Sequence, residues 1–560
     1  MLRVSMALAL VAPLTLSATI GEPAVAAAPA ASSHAQLTSL FADWRNFNHP
    51  LIVRGKPDYS AAAMAAKARR LPEFQRRLKA IDTTGWSASD RGDYRLVQAE
   101  MNGLDFFLRV LKPWARDPGF YQNVFAEMSD VPAHEGPSAE PNIDLHNFSY
   151  PLSAADDARL TELLGAVPAL LTDARRNLAG SQAHDLWAYG DRAFNEQAEV
   201  LARLEAGTLV LNDLGGKRPA SLQGASPQLH AAVANARVAT EQFAQWIRAE
   251  APRRLGPSGV GKANYNWYLK HVLLSPYDFD QQRVLLQREL DRSLASLRLE
   301  EVRNRALPPI AEISDPAAYR RMAEARTEKL YRLLVDAGFI TDQPYFHAAL
   351  AGQTGDYTPP AERNFFTNVT ALDPSPLLSH QFHWIELARL RHEPHPSPVR
   401  DSPPLFNIYA DRSEGFATAM EEVVMQAGLY DDIPHGRELM WIMLANRAAR
   451  GLASLRVQAN EIGLDEAGKF HAGWTPRGWS DATSRLVGFE QLLYLRQPGY
   501  GPSYIVGKME LDHLLALASH RAELEKRPYD NRATFAVILA SGIVPPAIIE
   551  DEMAEAAAAR

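Results

Sequence analysis

The sequence predicts a mainly α protein, a large multi-helix body with little or no β-sheet. Three observations predict it. Apolar residues recur at three- and four-residue steps over long stretches, which lines one face of a helix. Runs of strict polar–apolar alternation are scarce, so any sheet is expected to be small. Clusters rich in proline and glycine, at 131–141, 251–261, 352–360 and 394–404, punctuate the periodic stretches without forming a long linker.

Taken in chain order, the elements begin with a leader. Arg3 precedes an apolar stretch at 6–17 that is too short to span a bilayer as a mature helix. Ala24, Val25 and Ala26 meet the small-x-small cleavage rule, so residues 1–27 are read as a signal peptide. No second run of about 20 apolar residues follows, and no membrane span is expected after cleavage. Residues 35–560 are read as one large helical domain, divisible into two lobes at about 35–330 and 331–560. The clearest helix lies at 155–178, where Leu160, Leu163, Leu164, Val167, Leu170, Leu171, Ala174 and Leu178 share a face. A second lies at 281–305 with Val284, Leu285, Leu290, Leu294, Leu297 and Val302, and a third at 438–462.

Composition narrows the function. The 560 residues are 46% hydrophobic and 22% charged, ordinary for a globular chain with a sizeable core. A net charge of -8 argues against nucleic acid as a partner, because phosphate neutralisation needs a basic face. A cysteine count of 0 excludes disulfides, thiolate metal sites, cysteine nucleophiles and a lipid carried on an N-terminal cysteine. With the leader, this points to a secreted protein of the periplasm. Gly256 to Lys262 ends in Gly-Lys, but Ala263 stands where a phosphate-binding loop needs Ser or Thr. No Gly-x-Ser-x-Gly nucleophile elbow is present.

The most informative segment is 379–422. His380 and His383 are three apart, so on one continuous helix they share a face and converge on one ion, with Glu386 three further along. About thirty residues later, Glu414 opens another periodic segment that carries Glu421 and Glu422. Two histidines from one helix and a carboxylate from the next form a zinc-site pattern. Zinc lowers the pKa of bound water to about 7, and a carboxylate can take the proton. The same residues also admit a structural reading, in which Glu421 and Glu422 pair with an arginine such as Arg437 or Arg447. The loop carrying His392, Glu393, Pro394 and His395 is an alternative ligand source in place of His380, although its proline context suits a plain connection. The turn-rich segment 497–504 holds Gly499 and Gly501, and a tyrosine presented from it can donate to a developing oxyanion. The charged residues at 93–103 and 113–121 are best suited to fixing helices through arginine–carboxylate contacts.

The order of these segments resembles a bacterial family, domain of unknown function 885. The resemblance rests on 93–103 (DYRLVQAEMNG), 113–121 (PWARDPGFY), 261–269 (GKANYNWYL), 414–417 (EGFA), 498–508 (PGYGPSYIVGK) and 540–549 (ASGIVPPAII). It implies a secreted, largely helical protein that looks like a zinc peptidase. The family's usual motif, His-Glu-x-x-Pro-Gly-His followed by Glu-Gly-Trp, corresponds here to His380-Gln381-Phe382-His383 and then Glu414-Gly415-Phe416. Gln381 thus stands where the general-base glutamate belongs, and the Pro-Gly insertion is missing. The resemblance implies His380, His383 and Glu414 as ligands of Zn2+, with Tyr504 matching the tyrosine near the family's C-terminal site. Two functions follow as expectations. One is a periplasmic, metal-dependent, peptidase-like hydrolase acting on a peptide or small-molecule substrate, with Glu386 as replacement base and Tyr504 as oxyanion donor. The other is an inactive relative that binds a peptide or envelope component, since a glutamine amide accepts no proton near neutral pH, and losing a general base costs about 10²–10⁴-fold in rate.

Overall fold

The computed structural model of the chain describes residues 33–558, so the expected signal peptide at 1–27 lies outside the described residues. The first principal helices are α1 (His34–Asn48), α2 (Ala61–Lys79) and α3 (Ala88–Phe106), with a small pair β1 (Ile52–Val53) and β2 (Lys56–Pro57) between α1 and α2. After α3 come β3 (Val124–Phe125) and β4 (Ile143–Asp144), which pair in parallel. Then follow α4 (Ala154–Asn177), α5 (Asp191–Ala206), the hairpin β5 (Leu209–Asp213) and β6 (Gly216–Ala220), and α6 (Pro227–Glu250). The second half carries α7 (Phe279–Asn304), α8 (Pro316–Asp336), α9 (Ser375–His380), α10 (Phe382–His392), α11 (Ala410–Gln426) and α12 (Gly436–Gln458). It closes with α13 (Arg485–Arg496), α14 (Tyr500–Leu524) and α15 (Pro546–Ala558). Sheet among the described residues is limited to the three two-stranded pairs, so the mainly α expectation stands.

Local chemistry sets the helix starts. Ser153 caps α4 by accepting the Asp156 N–H, and Asp156 and Asp157 place negative charge in the first turn, where the helix dipole favours it. Its buried residues are Leu160, Leu164, Val167, Leu170, Leu171 and Ala174, the face the periodicity predicts. Asp278 opens α7 with a capping box closed by Gln281. Here the predicted face is rotated. The structure buries Leu286, Leu290 and Leu297, whereas Val284 and Val302 remain 66% and 57% exposed. The α7 face is set by α12, against which it packs along its length, and not by the full list of apolar residues.

One apolar cluster draws on residues from Leu37 to Ile549. In the first half α6 packs on α4 and α5. In the second half α12 is buried on nearly every side, and α11 lies tightly along α14. The crossing of α11 and α14 is closed by two glycines. A Cβ on Gly507 would overlap the Asp411 carbonyl, and one on Gly415 would overlap Gly507. This close approach faces Glu414 toward Tyr500 and Tyr504. The charged residues near the N-terminus are tethers. Glu100 accepts from Trp44 Nε1 at 2.8 Å and from Arg45 Nε at 2.9 Å. Asp93 pairs with Arg400 at 2.6 Å, and Asp117 with Arg496 at 2.7 Å.

Candidate metal centre

The two histidines do not lie on one continuous helix. α9 ends at His380, Gln381 breaks the helix with ψ near 10°, and α10 starts at Phe382. The turn is held by Trp384 N–H donating to the Gln381 carbonyl at 3.0 Å. The break still brings the rings together, with centroids 4.9 Å apart and planes at 87°. Glu414, one turn into α11, completes the group. His383 Nε2 is 3.2 Å and His380 Nε2 is 3.6 Å from the same oxygen, Glu414 Oε2. Ligand atoms of the three residues lie within 4.8 Å of one another, and the residues are 9%, 1% and 2% exposed for His380, His383 and Glu414.

Each ring is also braced from behind. His383 Nδ1 is 3.1 Å from Ser413 Oγ. His380 Nδ1 is 3.0 Å from Glu421 Oε1, although the approach is too oblique for a well-formed hydrogen bond. Glu421 Oε1 in turn lies 2.5 Å from Arg447 Nη2. Of the two arginines the sequence offered to Glu421, the partner is therefore Arg447, while Arg437 pairs with Glu300. Glu422 pairs with Arg292 and Lys508 at 2.6 and 2.9 Å.

The two histidine–carboxylate edges suit a tetrahedral cation. Ligands about 2.1 Å from one tetrahedral ion stand about 3.4 Å apart. The observed 3.2 and 3.6 Å bracket that edge. Nδ1 contacts that leave both Nε2 atoms aimed inward are the outer-shell arrangement metal-binding histidines need. The charges agree. Burial opposes a charged His383 ring, but the Glu414 carboxylate outweighs it and holds the group up at about 9. Burial likewise opposes the Glu414 carboxylate, yet the two imidazoles hold it well below the ordinary range. A cation on the two Nε2 atoms would take the place of the protons that this carboxylate attracts.

Of the other residues read from sequence, the structure places Tyr504 at the group and commits Glu386 to an arginine. The Tyr504 ring lies nearly parallel to His380, with centroids 6.3 Å apart, and under the Arg450 guanidinium at 4.1 Å. Burial raises its hydroxyl well above the usual range, so it stays protonated. Among the described residues that hydroxyl has no hydrogen-bond partner. Glu386 is clamped by both terminal nitrogens of Arg412, a buried pair that ties α10 to α11. A carboxylate so engaged is not available to take a proton. Glu386 follows His383 by three residues on the same helix, and it is the Arg412 guanidinium that engages its carboxylate. The His392–His395 loop contributes nothing to the group, because His392 stacks on Tyr345 and His395 Nδ1 accepts the Ser397 N–H.

Three further residues were not read from sequence as members of the site. Tyr500, turned into place by Gly499 at φ 89°, donates to Glu414 Oε1 and lies 3.1 Å from Glu135 Oε1. Glu135 and Asp130 belong to the strap 126–142, whose two ends are closed by the β3–β4 pair. His134 pins the strap, bonding Asp144 at 2.7 Å and stacking on Phe125. Glu135 is exposed, so its carboxyl is reachable from solvent. The surrounding bulk, then Asp130 and Glu414, push its carboxyl above the ordinary range. Asp130 is raised in the same way, by its surroundings first. The only sequence signal for this strap was its proline and glycine content, which marked it as a connection.

No helix among the described residues is long and apolar enough to cross a membrane. No curated protein sequence matches the chain. Two solved structures share its fold. One is described as a "putative lipoprotein of unknown function" from Shewanella oneidensis, with a TM-score of 0.63 and 13% identity, covering 94% of this chain and 100% of that one. The other, a "putative lipoprotein" from Colwellia psychrerythraea, has a TM-score of 0.64 and 13% identity over the same shares. The sequence match to a family ends before His380: residues 54–332 carry the signature of DUF885, a bacterial protein family of unknown function.

Proposed function

We propose that the chain is a metal-dependent hydrolase of the bacterial envelope, peptidase-like, with zinc held by His380, His383 and Glu414. The observation that carries this reading is the convergence of two braced imidazole Nε2 atoms on one Glu414 oxygen at tetrahedral spacing. The leader at 1–27 and two fold neighbours described as lipoproteins support the envelope as its place. Zinc in this site would supply Lewis acidity toward a carbonyl and lower the pKa of water. The chain's own groups supply the rest. Glu135, raised and reachable in the cleft, takes the proton from water and returns it to the departing amine, the role that neither Gln381 nor the clamped Glu386 fills. Tyr504 donates its unpartnered hydroxyl to the developing oxyanion. Tyr500 holds Glu414 and Glu135 in register.

A second reading, a peptide-binding protein without turnover, is favoured by Gln381, whose Oε1 is buried without a partner and would accept an N–H from a bound ligand. Elemental analysis of the purified protein with a peptide-library digest decides between them. About one zinc per chain, lost in His383→Ala, and hydrolysis abolished by chelator support the hydrolase. No stoichiometric metal in the natural chain overturns it. Metal with peptide retention but no cleavage leaves the binding protein.

A further inference from the structure

A cavity of about 230 Å³ is lined along one edge by the strap residues on either side of Glu135, His134 and Gly136. Met64, Leu104, Phe107, Leu111, Phe120 and Phe406 supply its apolar wall. Most polar groups at its edge are committed within the protein, but Asn48 Oδ1 and Gln497 Nε2 are buried without partners. Lys67 Nζ donates to the Asn48 and His49 carbonyls at 2.5 and 3.1 Å. Tyr268 donates to Asn407 Oδ1 at 2.8 Å, and the Tyr59 hydroxyl accepts the Glu140 N–H at 2.9 Å. Arg496 is held by Asp117 at 2.7 Å. An occupant therefore meets mainly apolar surface, with Asn48 Oδ1 and Gln497 Nε2 as the polar atoms left to it. The volume is below the roughly 300–1,000 Å³ of a pocket for a whole ligand, so it suits a single side chain.

Three walls of this cavity run directly into the metal centre. Gly136 of the strap adjoins Glu135. Pro498 stands two residues before Tyr500, and Tyr409 five residues before Glu414. The turn at Gly499 joins Pro498 directly to Tyr500, and five residues of helix, rising about 7.5 Å, carry the chain from Tyr409 to Glu414. A helical rise of that size is about the reach of two residues of an extended peptide.

We propose that this cavity is a specificity subsite of the His380–His383–Glu414 centre and takes one large apolar side chain, aromatic or branched, of an extended peptide. The proposal rests on the reading of that centre as a peptidase-like site. The strap is then shared: one edge presents Glu135 to the reacting group, and the other forms the subsite wall with Ala133 and Gly136.

The test is calorimetric titration of the purified protein with two pentapeptides, a central phenylalanine or a central alanine between glycines, together with mass spectrometry of the mixtures. The phenylalanine peptide is expected to bind at least about 30-fold more tightly, since even one methylene in an apolar pocket is worth about 10-fold. Leu111→Trp fills the cavity and should bring the ratio near unity at unchanged thermal midpoint and metal content. Met64→Trp serves the same end if Leu111→Trp does not fold. Equal binding of the two peptides by the natural chain overturns the subsite, as does a preference that survives filling. Preference without cleavage leaves the subsite standing and removes the hydrolase. Cleavage without preference does the reverse.

Discussion

Replacing Glu421 by glutamine should weaken zinc binding although Glu421 is not itself a ligand. Its Oε1 stands 3.0 Å from His380 Nδ1, with the side chain 0% exposed, so water does not screen the charge. Losing an outer-shell carboxylate of this kind costs about 10–100-fold in metal affinity, or about 1.4–2.7 kcal/mol. The same logic ranks a second variant. Ser413 braces His383 with a neutral hydroxyl at 3.1 Å. Glu421 sets a full, unscreened charge beside its ring and Ser413 only a neutral dipole, so Ser413→Ala should fall at or below the low end of that range. One complication is built into the structure. Arg447 is 1% exposed, and Glu421 lies 2.5 Å from it. Removing one partner of a buried pair costs about 3–5 kcal/mol, so Glu421→Gln should also lower stability. The double variant Glu421→Gln/Arg447→Met removes the orphaned cation, and should recover part of the stability but none of the affinity. Competition against a chromophoric chelator, with a thermal midpoint on each variant, reads both quantities. The reasoning fails if Glu421→Gln binds zinc within about threefold of the natural chain, or if Ser413→Ala costs more.

Three further outcomes follow from the packing around the site. Glu386→Gln leaves the Arg412 cation without a charged partner in a site 0% exposed, and should lower stability by about 3–5 kcal/mol while the folded protein keeps its zinc; a normal melting temperature with abolished activity would instead restore Glu386 as the base. Gly507→Ala gains about 1 kcal/mol of helix propensity but loses about 1–3 kcal/mol or more to overlap with the Asp411 carbonyl, so a lower thermal midpoint and reduced activity are expected, and a stabilised variant would contradict the close α11–α14 crossing. Burial works against a charged Glu422, but Arg292 and Lys508 outweigh it and hold the carboxyl at about 2. A depressed group adds stability above its unfolded pKa near 4.5 and loses it as pH falls through the folded value, with a ceiling of about 3 kcal/mol. The midpoint difference between the natural chain and Glu422→Gln should thus be full at pH 7 and close as pH falls toward 2, and a difference that does not change with pH would refute this.

The helices were legible because a 3.6-residue period is written directly in the spacing of leucines, as in α4. Their phase was less legible. In α7 the valines at 284 and 302 belong to the period by type but face solvent, because a partner helix chooses which stripe is buried. The three candidate ligands were legible because they fall within a short stretch that resembles a known motif. Their geometry was not, since the break at Gln381 involves neither proline nor glycine and is set by packing. Glu386 was misjudged for a different reason. Counting three residues on from His383 does put it on that side of the helix, but Arg412, which no spacing in the sequence pairs with it, engages its carboxylate.

The least legible residues are those that complete the chemistry. Glu135 sits almost 250 residues before His380 in the chain, on a strap without periodicity, and it reaches the centre only because two short parallel strands pinch the strap's base. The outer shell was closer to view. α12 is buried on nearly all sides, and such a helix should be apolar throughout. It carries Asn446, Arg447 and Arg450 instead, all at or below 3% exposure. Burying two guanidinium groups in one helix is costly without acidic partners. The partners, Glu421 and Glu490, are supplied by α11 and α13. A local rule broken at such cost in the middle of the core is where sequence reasoning should expect function, and Arg447 leads through Glu421 to the back of His380.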